Sequence, residues 1–258
     1  IQTRTAQPAP DMAFFAAQAL RVPLSNLFGA SARLFPRLEE LEDPAIQRSM
    51  ASLNRSFYQL LRTACNLTDL RAALDGEMKL HLEKTEMTSF LYGIFERTAP
   101  LCRTRGVTLE CSIPPQTFYA WIDRQRLERA ILNLLSNALK FTPDGGTIGL
   151  RLEHGETSAL IRVQDSGEGI APSLMASAFS RYARAMEVGD PRWGVGAGLP
   201  LARSIAQLHG GNLVVQSEAD KGTCVCISVS LRTPDVQTRT LKSPVAEADY
   251  TGGYSHEL

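Results

Sequence analysis

Hydrophobic residues in the first quarter of the chain recur every three or four positions, a spacing that predicts two long amphipathic helices. The first helix should begin at Asp11, a suitable N-cap, and run to about Leu34 with a kink at Pro23. Pro36 and the acidic residues after it should form the connection. The second helix should begin at Asp43-Pro44, because an aspartate cap followed by a proline is typical of a helix start.

The apolar positions of these two helices form stripes. In the first helix they are Phe14, Leu20, Leu24, Leu27 and Phe28. In the second helix they are spaced alternately four and three residues apart, at Ile46, Met50, Leu53, Phe57, Leu60, Ala64 and Leu67. One antiparallel pair of helices buries a stripe of period 3.5 poorly, so we predict that two copies of the hairpin form a homodimeric four-helix bundle. A monomeric hairpin packed on the following domain is the alternative.

From residue 76 onward the pattern changes between a period of two and a period of 3.6, which predicts strands mixed with helices. Strands are predicted at 78–82, 107–113, 118–122, 147–152, 158–164, 213–217 and 224–231. Helices are predicted at 87–103, 123–141, 171–182 and 199–208. The predicted organisation is a helical hairpin at 1–75, an α/β sandwich at 76–232 and a tail at 233–258, which makes the fold class α+β.

Composition narrows the possible functions. Lys and Arg number 27 and Asp and Glu also number 27, so a broad electrostatic surface for nucleic acid is not indicated. Five scattered cysteines without a Cys-x-x-Cys pair indicate reduced thiols in a cytoplasmic compartment. No apolar run approaches the ~18 residues of a membrane span. Because the sequence starts at Ile1, we expect any membrane or sensor region to lie upstream of it.

Residues 165–170 (Asp-Ser-Gly-Glu-Gly-Ile), the first glycine motif, follow a predicted strand. The Asp165 carboxylate can accept hydrogen bonds from an amine-bearing ring edge. Gly167 and Gly169 permit positive φ and remove side chains that would block a flat ligand. A tight strand-to-helix turn would explain the same residues equally well.

Residues 194–199 (Gly-Val-Gly-Ala-Gly-Leu), the second glycine motif, lead into a predicted helix with Pro200 in its first turn. Free amides at a helix start can hold phosphate oxygens, although a surface loop is the alternative. Asn133 and Asn137 lie one turn apart on a helix that is otherwise apolar, and Lys140 follows on the same face. An amide oxygen is a suitable Mg²⁺ ligand; buried helix-to-loop hydrogen bonds are the alternative.

Taken together, these elements resemble the ATP-binding domain of sensor histidine kinases, in the GHKL superfamily of gyrase, Hsp90 and MutL ATPases. The matching segments are an asparagine box at 133–141, the first glycine motif, a phenylalanine box at 179–184, the second glycine motif and Gly222-Thr223. The resemblance covers residues 76–232. It implies the left-handed α/β sandwich of that superfamily, also called the Bergerat fold, and a site for ATP and Mg²⁺.

The resemblance also implies residue roles. Asp165 would bind the adenine amino group, Asn137 would ligate Mg²⁺, and Asn133 and Lys140 would line the phosphate side. Phe141 would lie near the base. The remaining implied nucleotide-binding residues are Gly167, Gly169, Arg184 near the terminal phosphate, Gly194, Gly196, Gly198, Leu199 and Thr223, with residues 183–193 as a lid. Hydrolytic members of the superfamily carry a glutamate in place of Asn133, which favours phosphoryl transfer or simple binding here.

The helical hairpin resembles the dimerisation and phosphoacceptor domain of the same kinases, with one departure. Residues 17–24 align with the family's Ser-His-Glu-Leu-Arg-Thr-Pro-Leu, but Gln18 replaces the phosphoacceptor histidine and Ala19 replaces the acidic residue. A glutamine amide is a very poor nucleophile. The chain is therefore either a kinase that transfers phosphate to a partner protein, or a pseudokinase that docks a response regulator or partner kinase near Arg21 and Pro23. The helical stripe argues against a third class, the anti-sigma-like serine kinases.

Overall fold

Two long helices, α1 (Met12–Glu39) and α2 (Pro44–Leu74), form the first part of the structure. The structure is a computed structural model that describes residues 12–39, 43–171 and 196–232. The chain divides into two compact units, with the boundary between Arg71 and Ala72. The predicted subdivision at residues 75 and 232 stays a prediction. The predicted tail and the predicted helix at 171–182 lie outside the described residues, apart from Ala171.

The prediction that α1 ends near Leu34 is wrong, because the helix continues through Pro36 to Glu39. A proline inside a helix deprives the carbonyl four residues earlier of its partner. For Pro36 that carbonyl belongs to Ala32, which is exposed and can bond to water instead. Ala19 stands in the same relation to Pro23 and is also exposed.

The predicted start of α2 is confirmed. The Ala45 amide donates to Asp43 Oδ1 at 2.8 Å, and the Gln47 amide donates to the Asp43 carbonyl at 3.0 Å. The side chain and the backbone of one aspartate thus satisfy two amides of the first turn, and proline at the first position has no amide to satisfy. The helix ends before Gly76, whose φ of 70° reverses the chain.

Each apolar stripe divides into a buried half and an exposed half. In α1 the residues Ala17, Leu24 and Ser31, seven apart, are buried. A second row of α1, three positions after the buried one and also seven apart, consists of exposed leucines: Leu20, Leu27 and Leu34. Leu53 and Leu60 of α2 are exposed as well, and all five side chains are 46–55% exposed. Met50 and Ala64 of α2 are buried, and the Phe28 and Tyr58 rings meet edge to face with centroids 5.0 Å apart.

The second unit contains a mixed five-stranded sheet covered by helices on one face. Its helices are α3 (Met87–Thr104), α4 (Arg124–Phe141) and α5 (Gly198–Leu208). Its strands are β1 (Glu83–Glu86), β2 (Thr108–Ser112), β3 (Tyr119–Ile122), β4 (Thr147–His154), β5 (Ser158–Asp165), β6 (Leu213–Glu218) and β7 (Gly222–Ser230). The strand order is β2-β4-β5-β7-β6, with β2 and β4 parallel and the other pairs antiparallel; β1 and β3 form a separate antiparallel pair.

One predicted strand, at residues 78–82, is wrong. The strand in this region is β1, and it begins only at Glu83. The His81 amide donates to Asp123 Oδ2 at 2.9 Å, so a side chain rather than a neighbouring strand satisfies this backbone. The other predicted strands, and the predicted helices at 87–103, 123–141 and 199–208, are confirmed to within about two residues.

Alternation along β5 sets the position of its last residue. Ala159, Ile161 and Val163 are buried under the helical layer, where α4 and α5 pack against each other and over the sheet. Because side chains of a strand point to one face every second residue, Asp165 continues this core-facing row. A carboxylate is therefore placed at the open end of the hydrophobic core.

His209 joins the end of α5 to the start of α4. Its Nδ1 lies 2.8 Å from the Ile205 carbonyl, and its Nε2 accepts the Asp123 amide at 3.0 Å. An imidazole that donates with one nitrogen and accepts with the other is neutral. Burial accordingly lowers the pKa of His209. The Asp123 side chain also caps α4 by accepting the Arg126 amide at 3.0 Å.

No helix in the described parts of the chain has both the length and the apolar character that crossing a membrane requires.

His209 should make the second unit sensitive to acid. Its pKa is lowered in the folded state, so the unfolded chain binds the proton more readily, and stability falls as the pH drops below about 6.5. We expect the free energy of unfolding, from urea titrations between about pH 7.5 and about pH 5.5, to fall more steeply for the wild type than for His209→Gln. Equal slopes for wild type and His209→Gln would contradict this role.

Candidate functional site

Asp165 lies at the centre of the candidate site. Its Oδ1 accepts the Gly167 amide at 2.9 Å and the Thr223 amide at 3.1 Å. Burial raises the pKa of the Asp165 carboxyl, and the two amide bonds act in the opposite direction. No described residue donates to Oδ2. The protein thus fixes the carboxylate through one oxygen and leaves the other able to accept a donor from a ligand.

The first glycine motif lies close to neighbouring backbone on two sides. Gly169 has a φ of 68°, and a side chain there would collide with the Glu218 carbonyl. Gly167 does not use positive φ; it is required because a side chain would collide with the Phe141 carbonyl and approach the Asp165 carboxylate. The sequence-based expectation of conformational freedom therefore holds for Gly169, whereas Gly167 provides space.

Hydrogen bonds fix this loop to three elements. The Glu168 amide donates to the Phe141 carbonyl at 3.2 Å, and the Asp220 amide donates to the Glu168 carbonyl at 2.8 Å. The Ile170 amide donates to Ser217 Oγ at 2.8 Å. The loop is thus attached to the end of α4, to the β6–β7 turn and to β6 itself.

The asparagine box forms a polar stripe on α4. Asn133, Asn137, Lys140 and Phe141 are spaced by four, three and one residues and share one side of the helix. Asn133 is buried, and the other three side chains are half-buried. A side chain at Gly198 would lie 3.7 Å from the Cβ and Cγ of Asn133. The first residue of this stripe, Asn133, therefore lies next to the second glycine motif, and the last residue, Phe141, contacts the first glycine motif.

The second glycine motif ends in an uncapped helix start. Gly196 has a φ of 72°, and Ala197 occupies the N-cap position of α5 without a side-chain hydrogen bond. Pro200 in the first turn has no amide. The amides of Gly198 and Leu199 thus lie at a helix start that no side chain of the described residues caps, which is the usual arrangement of an anion site.

The structure brings most of the predicted site residues into one region. Contacts join Asp165, Gly167, Thr223 and Phe141 directly. Gly169 lies in the same loop against Glu218, and Gly198 lies next to Asn133. Beside them, at the end of the β6–β7 hairpin, is an open hollow of about 310 Å³ lined by Gln164, Asp165, Gln216, Ser217, Glu218, Lys221, Gly222, Thr223 and Cys224. Arg184, Gly194 and the phenylalanine box lie outside the described residues, as does the side chain of Phe14.

Sequence reasoning missed Ser217. This serine pairs with Thr223 across the hairpin, accepts the Ile170 amide and lies 2.8 Å from Thr223 Oγ1. The signal was present in the hairpin, because a turn at 219–221 places residues 217 and 223 opposite each other.

Comparison with known proteins agrees with this geometry. The sequence model of the family described as histidine kinase-, DNA gyrase B-, and HSP90-like ATPase matches residues 122–233. The sensor histidine kinase TmoS of Ectopseudomonas mendocina is 30% identical over 226 residues, which are 86% of this chain and 23% of TmoS. The histidine protein kinase DivJ of Caulobacter vibrioides is 38% identical over 220 residues, which are 81% of this chain and 35% of DivJ. The chain thus spans about a quarter to a third of these relatives.

Among solved structures, full-length ShkA in complex with AMPPNP matches with a TM-score of 0.66 and 22% identity, over 87% of this chain and 46% of that one. At this identity the likeness shows the fold. Fold and family match agree on the class: the second unit is the ATPase-type domain shared by histidine kinases, DNA gyrase B and Hsp90. Similarity to sensor histidine kinases also extends upstream of residue 122 over the helices, and the chain belongs to that family.

Proposed function

We propose that this chain is the nucleotide-binding part of a histidine-kinase-like signalling protein that binds ATP with Mg²⁺ and acts in a two-component or phosphorelay pathway. The observation that carries the proposal is the Asp165 carboxylate, which is fixed through Oδ1 and has Oδ2 free of donors from the described residues. The exocyclic amine of adenine is a donor of the kind this oxygen lacks.

The surrounding residues fit the rest of the nucleotide. Gly167, which has no side chain, lets the loop backbone lie against the Phe141 carbonyl and donate its amide to Asp165 Oδ1, and this fixes the carboxylate that would meet the base. The uncapped amides at the start of α5 suit phosphate oxygens, and the Asn137 side chain, one turn from Asn133, offers an amide oxygen to Mg²⁺. Bound Mg²⁺ would neutralise charge on the phosphates. The full proposed set is Asn133, Asn137, Lys140, Phe141, Asp165, Gly167, Gly169, Arg184, Gly194, Gly196, Gly198, Leu199 and Thr223.

Asn133 favours transfer or binding over hydrolysis. It is buried on α4 against Gly198, where hydrolytic relatives carry a glutamate. An amide cannot take a proton from an attacking water as a carboxylate can. Free ATP hydrolysis is therefore not the activity that we propose.

The helical unit lacks its own phosphoacceptor in this proposal. Gln18 is exposed on α1 next to exposed Ala19, so the position is accessible but carries neither a nucleophile nor a base. Phosphate would then pass to a partner protein. The second candidate is a pseudokinase scaffold that docks a response regulator or a partner kinase near Arg21 and Pro23, and the same exposed Gln18 favours it.

We further propose a homodimer through the helical unit. The exposed leucines of α1 and α2 repeat every seven residues, offset from the buried set by three or four. Such an a/d pattern matches the interior of a four-helix bundle, in which a second hairpin covers the exposed half. The partner in this proposal is a second copy of the chain.

Asp165→Asn should weaken ATP binding. The amide keeps an acceptor for the two backbone donors, but its NH₂ group replaces an oxygen that should accept the adenine amine. A hydrogen bond to a charged group contributes about 1.5–3 kcal/mol, so Kd should rise roughly tenfold to a hundredfold. Calorimetric titration with ATP and MgCl₂ measures this, with Asp144→Asn in an exposed turn as the matched control. A wild type that shows no nucleotide binding would sink the proposal.

The wild-type chain incubated with labelled ATP should acquire no acid-labile, base-stable label. Gln18→His combined with Ala19→Glu should gain one, because an imidazole can attack the γ-phosphorus and the carboxylate can take its proton. Adding purified response regulators or kinases separates the two candidates: label on a partner indicates a kinase, and none indicates a scaffold. A phosphohistidine on the wild-type chain would overturn the assignment of Gln18.

Sedimentation should give the mass of a dimer, and Leu27→Glu or Leu53→Glu should shift it towards the monomer. A carboxylate placed in an apolar interface loses its hydration without gaining a partner. Val214→Glu, at an exposed apolar residue of the second unit, is the control and should keep the dimer. A monomeric wild type at high concentration would contradict the bundle.

A further inference from the structure

Ser217 has three polar neighbours, all belonging to backbone or side chains around Asp165. It accepts the Ile170 amide at 2.8 Å, lies 3.1 Å from the Gly222 carbonyl and lies 2.8 Å from Thr223 Oγ1. A serine hydroxyl has one proton to donate and two lone pairs with which to accept. The Gly222 carbonyl can only accept, and the Ile170 amide can only donate.

These constraints determine where the proton of the Thr223 hydroxyl points. If Ser217 donates to the Gly222 carbonyl and accepts from Ile170, its second lone pair is open to the Thr223 hydroxyl. Thr223 then donates its only proton to Ser217, and every group of the cluster is satisfied. The Thr223 oxygen keeps its lone pairs for the site and has no proton to offer there.

Thr223 lies beside Asp165 on the same face of the sheet. It belongs to the core-facing row of β7 with Val225, Ile227 and Val229, and its amide donates to Asp165 Oδ1 at 3.1 Å. Gly222 before it is held against the Asp165 carbonyl, where a side chain would not fit. The carboxylate and the hydroxyl therefore form one acceptor surface where β5 ends and β7 begins.

We propose that Ser217 is a positioning residue that makes the Thr223 hydroxyl an acceptor only, and that it thereby helps the site to prefer a 6-aminopurine over a 6-oxopurine. This inference rests on the proposed nucleotide site. The exocyclic amine of a 6-aminopurine can donate to both Asp165 Oδ2 and Thr223 Oγ1. The carbonyl oxygen of a 6-oxopurine in the same place has no proton to donate, and it faces the lone pairs of those two oxygens. Without Ser217, the Thr223 hydroxyl can turn and donate to that carbonyl.

The test compares the ratio of Kd for GTP to Kd for ATP, by calorimetry with MgCl₂. Ser217→Ala should lower this ratio about threefold to tenfold, the effect of one neutral hydrogen bond. Ser217→Thr keeps the hydroxyl and should keep the wild-type ratio. The matched control is Ser228→Ala, since Ser228 likewise accepts one amide, from Asn212, and lies near the Asn212 carbonyl, but belongs to the opposite face of β7.

A purely structural role for Ser217 would lower stability in Ser217→Ala without changing the ratio relative to Ser228→Ala, and that result would overturn the inference. Should Ser217→Ala not fold, Thr223→Val serves in its place: it removes the oriented hydroxyl, leaves the Ile170 and Gly222 bonds of Ser217, and should lower the ratio similarly. An unchanged ratio of GTP to ATP Kd in Thr223→Val would also overturn the inference, but it would not contradict the proposed ATP site. A wild type that binds neither nucleotide would instead overturn the proposed function and this inference with it.

Discussion

The site depends on one carboxylate that the fold both buries and fixes. Strand alternation directs Asp165 towards the hydrophobic layer, where an ionised group loses hydration. Two backbone amides offset part of that loss, and both of them donate to the same oxygen. Oδ2 is left with its hydration reduced and with no donor from the described residues. A ligand that donates to it relieves this cost, so binding and local stability are linked.

Helix capping shows that the start of α5 differs from its neighbours. The Glu86 side chain caps α3 by accepting the amides of Thr88 and Ser89, and Asp123 caps α4. At α5 the equivalent position is Ala197, which offers no acceptor. A capping side chain contributes about 1 kcal/mol. Among the described helices, α5 begins beside the polar stripe of α4. The missing cap at its start is a local loss of stability, located where an anion would restore it.

The sequence predicted correctly those features that depend on residues close together in the chain. The Asp43-Pro44 start, the Asp123 cap and the hydrophobic periods concern residues within one or two turns of each other, and the structure agrees with them. The wrong strand prediction came from a contact distant in sequence. Residues 78–82 alternate as a strand should, but their His81 amide bonds to Asp123, 42 positions away. The proton arrangement around Ser217 likewise depends on Ile170, 47 positions away, which no local pattern reveals.

The histidines of the described residues bear on where phosphate could go. His209 uses both ring nitrogens, one towards Ile205 and one for the Asp123 amide, so it has no lone pair for an attack on phosphorus. His154 belongs to β4 and stacks on Phe118, with centroids 4.4 Å apart. Neither they nor His81, which precedes β1, lie on a helix of the first unit, where α1 carries the exposed Gln18. Under the proposed function, a phosphoryl group that leaves ATP in this site passes to a nucleophile on another chain, and recognition of that chain, rather than the chemistry of Gln18, decides whether the domain signals as a kinase.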